Sequence, residues 1–219
     1  GRRGGGLAEE HPADLGAHAI KGLIDRVGVD PMTVDDVIMG CLDNMGPQAG
    51  DIARTAWLAA GMPEAIPGVT VDRQCGSGQQ AVSFAAMGVM SGVQDIVVAG
   101  GMQNMSLIPI GSAMDVMGHE SIGRPDIEDP FSTSKGWVER YGTQEVSQFR
   151  GAELIAKKWD LGRQDLEEFA LESHERAARA QDEGRFDNEI LPYGDVTQDE
   201  GVRRGTTLEK MAQLPTLEE

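Results

Sequence analysis

The sequence predicts an α/β protein in which parallel strands alternate with helices. Three observations lead to this prediction. Some segments have apolar residues at helical spacing, or many small residues, and are long enough to form helices. Short apolar runs typical of strands lie between these segments. Glycine or proline separates the predicted helices from the predicted strands. Strand, helix and strand joined by short turns favour crossover connections, and crossovers of this kind produce parallel pairing.

The elements follow in chain order over the first hundred residues. A helix is predicted over residues 14–27, with Asp14 as its N-cap and apolar residues close to helical spacing. Two helices rich in small residues are predicted over 52–60 and 77–90, and Gly61 ends the first of these. The predicted strands between and after the helices cover residues 34–39, 68–71 and 95–99.

The second half of the chain differs from the first in its composition and its hydrophobic pattern. Residues 106–147 are irregular and too long for a plain loop, which indicates a functional segment or an inserted subdomain. Charged helices follow from Ala152, with Leu166, Phe169, Ala170 and Ala177 on one helix face, and a polar tail begins at Gly194. We therefore expect an α/β domain over residues 1–110 with helix 77–90 buried in its middle, and a mostly helical lid over residues 111–219.

Composition narrows the class of protein. Asp and Glu number 36 against 19 Lys and Arg, and the net charge of -17 argues against nucleic acid or an anionic membrane as a partner. No apolar run approaches the roughly 20 residues of a membrane span, and no apolar segment of a signal peptide opens the chain. Two cysteines make no disulfide framework, so we expect a reducing compartment and a cytoplasmic location.

Cys75 is the strongest candidate for a catalytic residue. It follows a predicted strand and precedes a predicted helix, whose unpaired N–H groups and partial positive charge favour a thiolate. Gly76 and Gly78 leave room for an acyl group and for an oxyanion donor. The alternative is a cysteine that only packs as a small apolar residue. The flanking glycines favour the nucleophile for Cys75, whereas Cys41 is predicted to pack in the core.

Two further motifs suggest other chemistry. Residues 76–81 match the dinucleotide-binding fingerprint G-x-G-x-x-A, but Asp95 begins its strand, whereas the ribose-binding acidic residue should end it. His174 and Glu175 resemble part of a zinc motif, but no second histidine stands four residues later. We therefore predict neither a dinucleotide site nor a metal site.

Several motifs together resemble the thiolase family over nearly the whole chain. In chain order they are Arg2-Arg3-Gly4-Gly5, His11-Pro12-Ala13-Asp14-Leu15-Gly16, Gln48-Ala49-Gly50 with Ala53-Arg54, Ala60-Gly61-Met62-Pro63, Arg73-Gln74-Cys75-Gly76-Ser77-Gly78, Ala99-Gly100-Gly101-Met102-Gln103-Asn104-Met105-Ser106, Ala152-Glu153-Leu154-Ile155-Ala156, Ser173-His174-Glu175-Arg176-Ala177 and Glu183-Gly184-Arg185-Phe186. The resemblance implies a thiolase-like fold: a layered mixed sheet with a buried central helix and a mostly helical loop domain.

The resemblance also implies a reaction. Cys75 would take the acyl group of a 3-ketoacyl-CoA, release acetyl-CoA and pass the acyl group to CoA, or catalyse the reverse Claisen condensation. The Cys75 backbone N–H would be part of an oxyanion hole. CoA would be a substrate, with no permanently bound cofactor, and the enzyme would be a homodimer or homotetramer. The implied CoA contacts are Ser147 and Gln148 near the pantetheine, Arg203 at the adenine and 3′-phosphate, and Lys210.

The chain departs from the family pattern at some positions. Asp72 replaces the usual asparagine before the nucleophile, and Gln103 replaces a glutamate. The family's Gly-His-Pro histidine and Cys-x-Gly cysteine do not occur in these residues. We therefore expect an internal piece of a thiolase, lacking the first strand and the C-terminal domain, that binds CoA weakly and is inactive alone.

Two alternatives to an acyl-transfer enzyme of this family stay open. One is a non-catalytic CoA-binding or assembly fragment. The other is a ketoacyl synthase, which shares the cysteine at a helix start but is disfavoured by the Gly-Gly-Met and loop-domain motifs. The sequence does not choose between acyl chain lengths, between degradation and synthesis, or between dimer and tetramer.

Overall fold

The computed structural model describes residues 1–115 and 130–216. Their contacts form two compact units, one of Gly1–Gly118 with Leu191–Thr197 and one of His119–Ile190 with Gln198–Glu219. The predicted domain boundary at residue 110 stays a prediction. Part of the predicted irregular stretch, residues 116–129, lies outside the described residues.

The first unit alternates helices and strands as predicted. Its elements are α1 (Pro12–Val27), β1 (Asp36–Gly40), α2 (Ile52–Ala59), β2 (Gly68–Val71), α3 (Ser77–Met90), β3 (Val97–Gly101) and the short α4 (Ser112–Asp115). The bounds of β2 and α3 agree with the sequence-based prediction to the residue. Strands β1 and β3 lie one or two residues later than predicted, because pairing with a neighbour determines where a strand begins and ends.

The three strands form one sheet in the order β2-β1-β3, and both pairings are parallel. Val37 of the central strand lies opposite Gly68 on one side and Val98 on the other. The predicted α/β class with parallel crossovers is confirmed. The mixed, layered sheet implied by the resemblance stays a prediction, because the described strands pair only in parallel.

Helix α1 begins two residues earlier than predicted, and His11 rather than Asp14 is its N-cap. The His11 Nδ1 atom accepts a hydrogen bond from the Ala13 N–H at 3.2 Å, and Pro12 occupies the first helical position, where proline needs no N–H donor. Asp14 instead lies in the first turn, where its negative carboxylate interacts favourably with the positive end of the helix dipole.

The core lies on both faces of the sheet. On one face, β1 packs with α1 and α2 around Ile20, Ile52 and Trp57, all of which are fully buried. The Trp57 Nε1 atom donates to the Pro63 carbonyl at 2.8 Å, so the indole is buried without an unpaired N–H. On the other face, Ile38 packs against Ala81 and Ala85 of α3, as the alternation of side chains along a strand requires.

Helix α3 is only half covered in this chain. Ala81 is fully buried against the sheet, while the opposite face exposes apolar side chains, with Met87 61% and Met90 86% accessible. The buried central helix therefore stays a prediction. An apolar face of this kind is typical of a surface that another element covers.

The described part of the second unit contains α5 (Lys135–Tyr141), α6 (Gln148–Trp159), α7 (Arg163–Asp182) and α8 (Leu208–Met211). Its predicted role as a lid stays a prediction. Of the residues predicted to share one face of α7, Ala170 and Ala177 are half-buried, whereas Leu166 and Phe169 are 50% and 77% exposed. Hydrophobic periodicity indicates that residues share a face, not that another segment covers it.

The predicted polar tail is attached to α7. The Arg163 guanidinium donates to the carbonyl oxygens of Met211 and Leu214, at 2.9 and 2.7 Å. Near the other end of α7, Arg204 pairs with Asp182 at 2.8 Å. Among the residues that the structure describes, no helix is long and apolar enough to cross a membrane.

Candidate active site

Cys75 lies in the turn between β2 and α3, as predicted, and its thiol is free and exposed. The N-cap of α3 is Gly76, which offers no side-chain hydrogen bond to the helix. The Gly76 and Ser77 N–H groups donate to the Arg73 and Gln74 carbonyl oxygens, at 3.1 and 3.0 Å, so the helix acts on the cysteine through the partial positive charge of its N-terminus. Nucleophilic cysteines of enzymes occur in partly exposed, electropositive positions of this kind.

The turn that carries Cys75 is fixed by side chains of its own residues. The Ser77 hydroxyl accepts a hydrogen bond from the Arg73 N–H at 2.8 Å and donates one to the Gln74 carbonyl at 2.5 Å. An oxygen of Asp72 accepts from the Gln74 N–H at 2.9 Å. Gln74 itself has φ 48°, in the left-handed region that residues other than glycine rarely adopt. The backbone on both sides of Cys75 is thus held in one conformation.

Backbone packing places this turn at the carboxyl ends of β1 and β3. A Cβ atom on Gly40, the last residue of β1, would lie 2.4 Å from the Gly78 nitrogen and 2.4 Å from the Ser77 carbonyl carbon. A Cβ atom on Gly101, the last residue of β3, would lie 2.8 Å from the Gly40 carbonyl oxygen. The carboxyl ends of parallel strands are where α/β proteins bind ligands.

Sequence analysis missed the role of Gly40. A glycine that ends a buried strand was the available signal, because such a glycine often marks a close backbone approach. The position of Asp95 also became clear. It precedes β3, so it lies at the opposite end of the parallel sheet from Cys75, and its N–H donates to Asp35.

A buried amide network supports the loops on this side of the first unit. The Asn104 side-chain nitrogen donates to the carbonyl oxygens of Leu7, Ala8 and Glu10, and the Asn104 N–H donates to the fully buried Gln48. Gln48 in turn donates to the Asp43 carbonyl at 3.1 Å. Both amides occurred in the motifs above, but only the structure shows that they bind each other. Their function is to hold three loops together.

Cys41 packs in the core, as predicted, and is only 2% exposed. Burial raises the pKa of its thiol from the ordinary 9.0 to about 11, and the negative charges of Asp72 and Asp43 add to this effect. A thiol that stays protonated at neutral pH is a poor nucleophile. Cys41 is therefore buried with a raised thiol pKa, whereas the Cys75 thiol is exposed.

The two thiols should react very differently with iodoacetamide. At pH 8 we expect Cys75 to be alkylated in the native chain, whereas Cys41 reacts only after denaturation, as measured by peptide mass spectrometry. Because the Cys41 pKa is raised on folding, this thiol's contribution to stability is complete below pH 9 and is lost as the pH rises toward 11. Alkylation of native Cys41 at a rate equal to that of Cys75 would contradict this assignment.

The predicted CoA contacts all belong to the second unit. Ser147 is the N-cap of α6, and its hydroxyl oxygen accepts from the Phe149 N–H at 3.1 Å, which leaves the hydroxyl proton available. Gln148 is the first residue of α6 and is exposed. Arg203 is exposed, and the Lys210 ammonium donates to the Gly205 carbonyl at 2.7 Å. Their binding roles stay predictions.

The described histidines have structural contacts. His11 caps α1, and His18 packs edge-on against Tyr193 with 4.9 Å between ring centroids. The His174 Nδ1 atom accepts from the Arg203 N–H at 3.3 Å. His119 lies outside the described residues. Within residues 1–115 and 130–216, no three His, Cys, Asp or Glu side chains are grouped to hold a metal ion.

Comparisons with known proteins agree with the motifs. The family model for the thiolase N-terminal domain matches residues 1–218. A steroid 3-ketoacyl-CoA thiolase of Mycobacterium tuberculosis is 57% identical over 223 residues, which cover 100% of this chain and 53% of that protein. A β-ketoadipyl-CoA thiolase of Pseudomonas aeruginosa is 38% identical, with 98% of this chain and 56% of that protein covered. A 3-ketoacyl-CoA thiolase of Bacillus subtilis is 35% identical, with 96% and 54% covered.

The coverage also shows how much of a relative this chain represents. The chain spans about half the length of the curated relatives that it matches. The match extends over the turn that carries Cys75 and over both units, so it does not depend on one short motif. The chain belongs to the thiolase family and corresponds to its N-terminal domain.

Proposed function

We propose that the protein carrying this chain transfers acyl groups between a 3-ketoacyl-CoA and CoA through a thioester on Cys75. The Cys75 thiolate adds to the 3-keto carbon, and the bond between carbons 2 and 3 breaks. The released carbanion of acetyl-CoA takes up a proton, and the acyl group stays on sulfur. The thiolate of CoA then attacks this thioester, and Cys75 leaves as a thiolate. A cysteine thioester and a CoA thioester are close in energy, so both steps are reversible.

The observation that carries the proposal is the environment of Cys75. The thiol is exposed, lies just before a helix start and is held by a turn that its own neighbours fix. The Cys75 N–H would donate to the oxyanion that forms at the keto oxygen. Asp72 and Ser77 hold the turn through their hydrogen bonds to Gln74 and Arg73, and the proposal includes CoA as a substrate without a permanently bound cofactor.

The substrate class is part of the proposal. The 57% identity to a steroid 3-ketoacyl-CoA thiolase favours a bulky, steroid-derived acyl group over the dicarboxylic acyl group named for the relative at 38%. A cytoplasmic location and a homodimer or homotetramer belong to the same proposal. Size-exclusion chromatography with light scattering on the complete protein tests the oligomeric state.

A second candidate function concerns the 219 residues by themselves. They span about half of each relative, and the family's Gly-His-Pro and Cys-x-Gly motifs do not occur in them. We propose that these residues alone bind CoA weakly and do not catalyse turnover, because the Gly-His-Pro histidine that would serve as general base for the thiol does not occur in them. Thiolysis of acetoacetyl-CoA by residues 1–219 at a rate comparable to that of the complete protein would contradict this.

Mapping of the acyl-enzyme tests the reaction directly. The complete protein is mixed with acetoacetyl-CoA, quenched in acid and digested, and the acetylated peptide is identified by mass spectrometry. We expect acetyl on Cys75, removable by added CoA. Acetyl on Cys41 alone, or no acyl-enzyme while acetyl-CoA is still produced, would overturn the proposal.

Arg203 is proposed to bind the 3′-phosphate of CoA. Replacing it with alanine should weaken CoA binding by about tenfold, since a hydrogen bond to a charged group contributes about 1.5 kcal/mol or more. The measurement is isothermal titration calorimetry with CoA and with 3′-dephospho-CoA, and the variant should match the wild type for the second ligand. Arg176→Ala is the control, because Arg176 is an exposed arginine of α7 that pairs with Glu172. If Arg203→Ala weakened the binding of CoA and of 3′-dephospho-CoA equally, a contact of Arg203 with the 3′-phosphate would be excluded. The same conclusion would follow if Arg176→Ala weakened CoA binding as much as Arg203→Ala does.

A further inference from the structure

We propose that Ser77 is a positioning residue that holds the backbone around Cys75 and so orients the thiol toward the acyl carbonyl. The inference rests on the proposed function of Cys75 as the nucleophile. Three features of the turn support it.

The first feature is the direction of the Ser77 hydroxyl. Ser77 is the first residue of α3 and is only 4% exposed, yet its oxygen does not cap its own helix. It reaches back across the turn to the Arg73 N–H at 2.8 Å and the Gln74 carbonyl at 2.5 Å. Both partners precede Cys75 in the chain. One hydroxyl thus closes a ring of atoms around the nucleophile.

The second feature is the backbone conformation of Gln74. Its φ of 48° lies in the left-handed region, which is unfavourable for a side chain with a Cβ atom. Such a conformation persists only where surrounding contacts maintain it, and it is concentrated at functional sites. The Gln74 carbonyl accepts from both the hydroxyl and the backbone N–H of Ser77, at 2.5 and 3.0 Å. Without the hydroxyl, Gln74 can relax toward negative φ, and Cys75 turns with it.

The third feature is the packing behind the turn. The backbone of Ser77 and Gly78 lies directly against Gly40, where even one additional carbon atom does not fit. The start of α3 therefore cannot move toward β1 when the hydroxyl is lost. The relaxation is expected mainly in residues 73–75, which include the proposed nucleophile. A displacement of about 1 Å of a reacting group is enough to lower a rate by about 10²-fold.

The test compares Ser77→Ala, Ser77→Thr and Ser77→Val in the complete protein. Single-turnover measurements give the rate of Cys75 acylation by acetoacetyl-CoA, and steady-state measurements give kcat and KM. We expect Ser77→Ala to lower the acylation rate by about 10- to 100-fold with KM changed by less than about threefold, because the substrate contacts remain. Threonine keeps the hydroxyl and should restore most of the rate, whereas valine, which has the shape of threonine without the hydroxyl, should not.

A matched control and a rescue separate positioning from a general loss of structure. Ser83→Ala removes another hydroxyl of α3, one that donates to the Gln79 carbonyl at 3.0 Å, and should leave the acylation rate unchanged. Gln74→Asn in the Ser77→Ala background should recover part of the rate, because asparagine adopts positive φ more readily than glutamine. A role in stability alone would shift the denaturation midpoint but would leave the acylation rate of the folded enzyme at the wild-type value.

The outcomes distinguish this inference from the proposed function. If Cys75→Ser stays active, the nucleophile assignment fails whatever the Ser77 variants do. If Cys75→Ser is inactive and Ser77→Ala acylates at the wild-type rate, the positioning role is overturned and the nucleophile stands. If Ser77→Ala does not fold, the threonine and valine pair decides: equal acylation rates for the two variants overturn the inference, and a fast threonine variant beside a slow valine variant supports it.

Discussion

Replacing Cys75 with serine is expected to lower the rate of 3-ketoacyl-CoA thiolysis by the complete protein by at least about 10³-fold. A serine hydroxyl is far less acidic than a thiol and supplies almost no anion near neutral pH. An acyl ester on serine is also more stable than a thioester, so transfer of the acyl group to CoA becomes unfavourable. Both half-reactions are therefore impaired. The assay follows the loss of acetoacetyl-CoA absorbance, with acyl-enzyme detected in parallel by mass spectrometry.

Cys41→Ala is the matched control, because it removes the only other thiol of these 219 residues. Cys41 is buried and its pKa is raised to about 11, so its loss should affect packing more than chemistry. We expect activity within about threefold of the wild type and a modest decrease in stability from the small cavity. Loss of activity in the Cys41 variant together with full activity in the Cys75 variant would reverse the assignment of the nucleophile.

Replacing Gly40 with alanine is expected to destabilise the first unit by about 3 kcal/mol, at the upper end of overpacking effects. The new Cβ atom would lie 2.4 Å from backbone atoms of both Ser77 and Gly78. Backbone atoms cannot rotate out of the way as a flexible side chain can, so β1 or the start of α3 must move. Hydrogen exchange of the complete protein, read in peptides from α3, measures the change in opening free energy. Acylation of Cys75 should fall as well, because the same movement displaces the turn.

Gly151→Ala provides the comparison for this prediction. Gly151 lies inside α6, and a Cβ atom there would meet no atom within 4 Å. Alanine should therefore stabilise α6 slightly, by about 0.5–1 kcal/mol, through its higher helix propensity. If Gly40→Ala is as stable as the wild type and protects α3 equally well from exchange, the close approach of β1 to α3 is not as the structure has it.

Local patterns were sufficient to predict the elements that carry the candidate nucleophile. The bounds of β2 could be predicted because a glycine precedes a short run of β-branched residues. The bounds of α3 could be predicted because a continuous run rich in small residues follows the turn. The start of α1 was predicted two residues late, because the capping role belongs to His11, a less common N-cap than Asp14. The exposed face of α7 was not predicted, since hydrophobic periodicity indicates which residues share a face but not whether another segment covers it.

The sequence by itself determined the α/β class, the family and the place of Cys75 between a strand and a helix, because these depend on residues close together in the chain. Tertiary structure decided the contacts between distant residues. Gly40 meets Ser77 and Gly78 across 37 or more positions of sequence, and Asn104 reaches Leu7, Ala8 and Glu10 across more than 90. No local pattern encodes such pairs, because each depends on how β1, β3 and α3 pack. The physical reason is that close packing and buried hydrogen bonds are satisfied only by partners that the fold brings together.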